Sequence, residues 1–171
     1  PNKFPSLNGD HPRLIIPFFD KENVFFGYQG RAFGKENPKY ITIMLKEKNK
    51  IFGLDRINSN QHIFVVEGPI DSLFLDNCLA VAGADFKLDM DEKDYTVIYD
   101  NEPRNVEIIK RMEKSIEQNQ SIVIWPDNIE EKDINDMILS GKTSVEIHRI
   151  ISKNTFSNLH AKTRLINWKK I

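Results

Sequence analysis

The sequence predicts an α/β fold: a Rossmann-like parallel sheet with flanking helices, preceded by a small, mostly antiparallel β-rich subdomain. From residue 62 onward, short uninterrupted apolar runs alternate with stretches of helical period, as in "HIFVV" before "PIDSLFLDN". Before residue 62, β-rich runs are separated only by turn signals, which is the pattern of hairpins. The length of 171 residues suits one core with a small annex.

Each element follows from its residues. "RLIIPFF" (13–19), "NVFFGYQGRAF" (23–33) and "KYITIML" (39–45) are the three strands of the β-rich part. Asp20-Lys21-Glu22-Asn23 and Gly34-Lys35-Glu36-Asn37-Pro38 turn the chain between them. The later strands are "HIFVV" (62–66), "LAVAG" (79–83), "YTVIY" (95–99) and "SIVIW" (121–125). Helices are expected in "PIDSLFLDN", in "PRNVEIIKRMEKSIEQNQ" (103–120) and in "DINDMIL". Ile109, Met112 and Ile116 share one stripe of the long helix and point to core packing. The chain divides into a β-rich basic part (1–61), the α/β sheet (62–141) and a helical, basic extension (142–171).

Composition excludes several classes of function. No apolar run approaches the roughly 20 residues of a membrane span, and no stretch has a signal-peptide pattern. Cys78 is the only cysteine, which rules out a disulfide framework or a cysteine-rich zinc site. His11, His62, His148 and His160 lack ligand spacing. A reduced, cytoplasmic setting is expected. The sequence starts at Pro1 without an initiator Met, as a fragment or trimmed product would.

A net charge of −1 conceals a strong pattern. Residues 1–62 carry 10 Lys/Arg against 6 Asp/Glu, residues 63–138 carry 7 against 18, and residues 139–171 carry 7 against 1. An acidic centre between basic flanks suits a cation site beside a phosphate-binding surface. In open α/β sheets the working residues lie just past the carboxyl ends of the strands. Glu67 stands at the end of "HIFVV", Asp100 and Glu102 at the end of "YTVIY", and Asp127, Asp133, Asn135 and Asp136 follow "SIVIW". Like charges gathered at one sheet edge are costly unless a cation offsets them, and hard oxygen donors select Mg²⁺ or Mn²⁺.

Other signatures fail. "SGKTS" (140–144) imitates the end of a P-loop, but Asp136 stands where the leading glycine belongs. "GYQGRAFG" (27–34) follows no βαβ pattern, and no nucleophile elbow is present.

"VVEGPIDSLFL", "YDNEPRN" and "KDINDMI", in this order, resemble the three acidic motifs of TOPRIM domains, roughly EGxxD, DxD and a K-D-x-D element. The upstream "RLIIPFFDKENVFFGYQGRAF", "NPKY" and "IFGL" are similar to the stretch before TOPRIM in bacterial and phage DNA primases. "YDNEPRN" looks like the version in myovirus-type phage primases. The resemblance covers most of residues 13–138, the C-terminal part of the RNA polymerase core in that family.

The resemblance implies a metal-dependent nucleotidyltransferase that makes short RNA primers on single-stranded DNA from ribonucleoside triphosphates during replication. It implies Glu67, Asp100 and Glu102 as catalytic acids, and these with Asp133, Asn135 and Asp136 as holders of Mg²⁺ or Mn²⁺. Glu102 replaces the usual aspartate, and Asn135 replaces an acid with Asp136 beside it. Glu67 is either a metal ligand or the base for the attacking 3′ hydroxyl. Arg31 and Lys39 are implied to face nucleic acid or nucleotide, with one of Lys46, Lys48 and Lys50 as the next basic position and Arg104 a further phosphate contact. A replicative helicase is the implied protein partner. The alternatives are a TOPRIM nuclease using the same acids on water, or a non-catalytic nucleic-acid-binding module. Family members carry a zinc module before the polymerase core; one cysteine cannot build it, and the front of the core is expected to be missing as well, so poor primer initiation by this chain alone is expected.

Overall fold

A computed structural model describes residues 11–81 and 95–171. Strands β1 (Arg13–Phe19), β2 (Phe25–Ala32) and β3 (Tyr40–Met44) form an antiparallel sheet in the order β1-β2-β3. The first hairpin turns at Asp20, whose carboxylate accepts the N–H groups of Glu22 (3.2 Å) and Val24 (2.8 Å), while Asn23 takes a left-handed conformation. Ile16, Phe18 and Phe26 form a small core of their own, with the two rings 6.0 Å apart. This core supports a sheet whose far edge carries Lys39 and Tyr40.

A second sheet has six strands: β4 (Ile51–Phe52), β5 (Ile63–Val66), β6 (Cys78–Val81), β7 (Tyr95–Ile98), β8 (Ser121–Val123) and β9 (Thr155–Phe156). Their order is β4-β6-β5-β7-β8-β9. The four central strands are parallel, and β4 and β9 pair antiparallel at the edges. Four helices follow: α1 (Val106–Glu117), α2 (Ile134–Leu139), α3 (Ser144–Lys153) and α4 (Asn158–Trp168).

Both faces of the parallel strands are apolar because both are covered. Val66, Ile98 and Val123 pack against Met137 of α2 and Ile147 and Ile151 of α3. Val97 and Ile122 point the other way and pack against Ile108 and Met112 of α1 and Leu165 of α4. Helix boundaries are written in the sequence. Asn105 caps α1 by accepting from the N–H groups of Glu107 and Ile108, and Thr143 with Glu146 forms a capping box on α3. Gly141 ends α2 with a φ of +100°, a left-handed conformation that suits glycine.

The structure departs from the sequence expectation in three places. "PIDSLFLDN" forms only a single 3₁₀ turn, Asp71–Phe74, after which Leu75 is extended. The chain must reach β6 at Cys78, directly beside β5, and nine residues leave no room for a longer helix. The sheet also takes edge strands from outside residues 62–141, β4 from before and β9 from after. Two-residue strands carry no readable periodicity. Residues 142–171 supply α3, β9 and α4 to this same sheet and its two cores. Of the strand expected at 79–83, the last two residues lie outside the described residues.

Met112 is fully buried between α1 and the sheet. Met112→Ala is expected to lower stability by about 3 kcal/mol, through lost burial and the cavity left behind, and urea unfolding reads it as a lower midpoint.

Candidate active site

The chain leaves β5 toward β6 on one side and returns to β7 on the other, so the carboxyl ends of β5 and β7 border a topological switch point. Glu67 follows β5, Asp71 opens the 3₁₀ turn just beyond it, Asp100 follows β7, and Asp133 is the N-cap of α2. These four acids line a cavity of about 410 Å³. Lys132 stands with them, and Gln29, Lys39 and Tyr40 of the small sheet form another wall.

Each acid is held by a named contact. Glu67 Oε2 accepts from Arg111 of α1 at 2.9 Å, and Arg111 also lies over the Tyr99 ring. Glu67 Oε1 is buried with no hydrogen-bond partner among the described residues. Asp71 Oδ1 accepts the backbone N–H of Asn135 at 2.8 Å. A Cβ at Gly68 would stand too close to Asp71 Oδ2, so a side chain there would require the Asp71 carboxylate to move. Asp133 Oδ1 accepts the backbone N–H of Asp136 at 2.8 Å, which caps α2. Asn101 fixes Asp100 relative to Asp133: its N–H donates to Lys132 O at 2.6 Å, and its side-chain amide donates to the carbonyls of Ile129 and Glu131.

Crowding shows in the proton affinities. Burial pushes the Asp71 carboxyl up to about 6, against the pull of the Asn135 N–H, and the charge of Asp133 adds to the rise. Burial, and then the charge of Glu67, push Asp100 up to about 7, with Lys132 opposing. The donor set fits a hard divalent cation: every side chain is an oxygen donor, and one buried carboxylate oxygen is orphaned. The acids share the crevice without converging, for among the described residues no three Asp, Glu, His or Cys side chains are grouped closely enough to hold a metal ion.

No family model matches the chain. Among curated proteins, the DNA primase of Enterobacteria phage T4 is 39% identical over 166 residues, covering 94% of this chain and 48% of that protein. The chain is a DNA primase homologue. It spans about half the length of the curated relative it matches. The zinc-binding and RNA polymerase domains of Aquifex aeolicus primase superpose with a TM-score of 0.63 at 21% identity, covering 98% of this chain and 51% of that one. A DnaG primase catalytic domain bound to single-stranded DNA gives 0.66 at 17%, covering 91% and 55%. The primase fragment of the phage T7 primase-helicase protein gives 0.59 at 18%, covering 80% and 61%. The fold of the primase homologue is therefore the TOPRIM fold of primase catalytic cores, with the smaller antiparallel sheet before it.

The structure sorts the residues that the sequence singled out. Glu67, Asp100 and Asp133 line one crevice. Glu102 does not; its carboxylate accepts from Asn105 at 3.0 Å and meets Lys132 at 3.4 Å, at the rim. Asn135 and Asp136 reach the acids through their backbone N–H groups, and neither lines the crevice. Asp127 points away and pairs with Lys170 at 3.5 Å. Lys39 lines the crevice, and Lys39 and Arg31 flank the Tyr40 ring at 5.8 and 5.7 Å. Lys48 is committed elsewhere, to Asp20 at 2.5 Å in a separate groove. Lys46 and Lys50 are exposed on the connection from β3 to β4, and Arg104 is exposed beside Lys170. Sequence reasoning missed Asp71, Arg111, Lys132 and Asn101. Asp71 and Lys132 were signalled by their places in "EGPID" and "KDIND", whereas Arg111 had no signal beyond its phase on α1.

Asp71 and Asp100 give up their protons near 3.8 in an unfolded chain but only at about 6 and 7 in the fold. The folded primase homologue thus retains protons that the unfolded chain has released. The stability contributed by these two carboxyls is fully present below about pH 4 and is lost as pH rises through about 6 and 7. Asp100→Asn is expected to stabilise the chelator-treated protein by on the order of 2 kcal/mol at about pH 8. Lost attraction to Lys132 trims the gain, which shrinks toward about pH 5. Urea unfolding across that range checks both sign and slope.

Proposed function

We propose that this chain is the metal-dependent nucleotidyl-transfer segment of a DNA primase, building short RNA primers on single-stranded DNA from ribonucleoside triphosphates. The reading rests chiefly on one observation: a buried, unpartnered carboxylate oxygen of Glu67 in a crevice shared with Asp71, Asp100 and Asp133 and faced by Lys39. Homology to a phage primase supports the choice of polymerisation over nucleolysis. Glu67, Asp71, Asp100 and Asp133 are the residues that would hold Mg²⁺ or Mn²⁺. A divalent ion there supplies positive charge to phosphate oxygens during in-line displacement.

The chain's own groups do the rest. Arg111 takes Glu67 Oε2, which leaves Oε1 as a single oxygen donor and favours a ligand's role for Glu67 over a base's. Asn101 and the Asp133 cap set the spacing of the acids from two strands and one helix. Arg31 and Lys39, on the small sheet, offer charge to template or nucleotide phosphates, a contact that weakens with salt. Glu102 tunes the rim through Lys132 and Asn105. Single-stranded DNA as template and a replicative helicase as partner fit relatives described as bound to single-stranded DNA and as part of a primase-helicase. Among the described residues no helix is long and apolar enough to cross a membrane, and host cytoplasm is the proposed setting.

A template-directed ribonucleotide incorporation assay tests this reading. Glu67→Gln is expected to reduce incorporation by about a hundredfold or more while leaving single-stranded DNA affinity within about twofold. Arg31→Ala and Lys39→Ala are expected to weaken DNA binding and flatten its salt dependence by about one unit of slope each. Nicked DNA without ribonucleotide incorporation would transfer support to the nuclease reading.

A further inference from the structure

Among the described residues, Lys132 is the one cation paired with two of the acids at once. Its Nζ lies 3.5 Å from Asp100 Oδ2 and 3.4 Å from Glu102 Oε1, and it also lines the crevice with Glu67, Asp71 and Asp133. Both separations exceed the roughly 2.7–2.9 Å of a tight charge-assisted bond, whereas Arg111 reaches Glu67 at 2.9 Å. The Lys132 side chain is 51% exposed. A loose, wet ion pair of this kind is weak and readily exchanged. Its backbone, by contrast, is anchored: Asn101 donates to its carbonyl at 2.6 Å, and Asp133 follows directly in the chain. The ammonium is therefore tethered within reach of the crevice whichever partner it takes.

We propose that Lys132 is a tethered place-holder, an internal cation that neutralises Asp100 and Glu102 until a divalent ion takes the Asp100 carboxylate, then turns to the phosphates of the incoming nucleotide. The assignment rests on the reading that the crevice takes a divalent cation. It follows from charge balance. A metal ion arriving at Asp100 removes the attraction that holds Lys132 and adds repulsion of its own. The displaced ammonium then needs an anion within the length of its side chain. A triphosphate bound to the metal brings that anion to the same crevice. Lys132 thus opposes metal binding in the absence of nucleotide and favours nucleotide binding once metal is present. An ordinary structural salt bridge would do neither.

The test measures two affinities with opposite expected signs. In calorimetry with Mn²⁺ alone, Lys132→Met and Lys132→Gln are expected to bind the ion about fivefold more tightly than the parent chain, as removal of one partly exposed competing charge implies. With Mn²⁺ saturating and no template, the same variants are expected to bind ATP about fivefold more weakly, and Lys132→Arg to restore most of that loss. Circular dichroism checks that each variant is folded, and two replacements of different polarity guard against a failure of one. Unchanged or weaker Mn²⁺ affinity in both folded variants overturns the place-holder role while leaving the metal reading intact. Unchanged ATP affinity overturns the transfer to phosphate. Absence of Mn²⁺ binding by the parent chain overturns both this assignment and the metal reading beneath it.

Discussion

Four carboxylates crowd the carboxyl ends of two neighbouring parallel strands, and the cost of holding like charges in a partly buried crevice shapes everything around them. Among the described residues, four donors meet the cluster. Arg111 reaches across from α1, Lys132 comes from the loop before α2, and the first turn of α2 turns two backbone N–H groups onto Asp71 and Asp133. What these donors leave unsatisfied is Glu67 Oε1 and the raised proton affinity of Asp71 and Asp100. The fold carries an unbalanced site at the edge of a well-packed core, and that imbalance is what a cation would relieve.

The core makes the imbalance affordable. Val97 and Ile98, adjacent in one strand, pack into opposite hydrophobic layers, and helices seal both. The end of β7 is clamped further: Trp125 donates to the Tyr99 carbonyl at 2.8 Å, and the Tyr99 hydroxyl bonds Ser115 of α1. Asp100 therefore projects from a rigid strand end rather than from a loop. Space is tight where the acids meet, for a Cβ on Gly68 would run into the Asp71 carboxylate. Tight positioning of ligands on rigid elements is what a phosphoryl-transfer site requires.

The small sheet contributes charge of the opposite sign. Tyr40, between Arg31 and Lys39, brings two cations to the side of the crevice facing the acids. Under the proposed function, a phosphate entering between the two walls would meet basic groups on one side and, with a divalent ion bound, positive charge on the other. Lys48, although close in sequence to these residues, neutralises the Asp20 carboxylate, and its hydrogen bond holds that carboxyl below the ordinary value. Basic residues on one short segment thus divide between the site and the scaffold, and only their side-chain partners tell them apart.

By itself, the sequence determined the elements that obey a period and the acids that end them. Alternation and continuous apolar runs located β1, β2, β3, β5, β7 and β8, and the order of the motifs "VVEGPIDSLFL", "YDNEPRN" and "KDINDMI" brought Glu67, Asp100 and Asp133 to one place. Those features are local, set by residues adjacent in the chain, and so can be read one segment at a time. Tertiary structure alone decided which acid turns inward and what holds it. Glu102, two residues from Asp100, is drawn to the rim by Asn105 and Lys132, and Asn135 and Asp136 act through backbone rather than side chain. The pairing of Arg111 with Glu67 joins residues 44 apart. The edge strands β4 and β9 exist only because a neighbouring strand offers unpaired backbone groups. Such contacts depend on distance in space, which no stretch of sequence records.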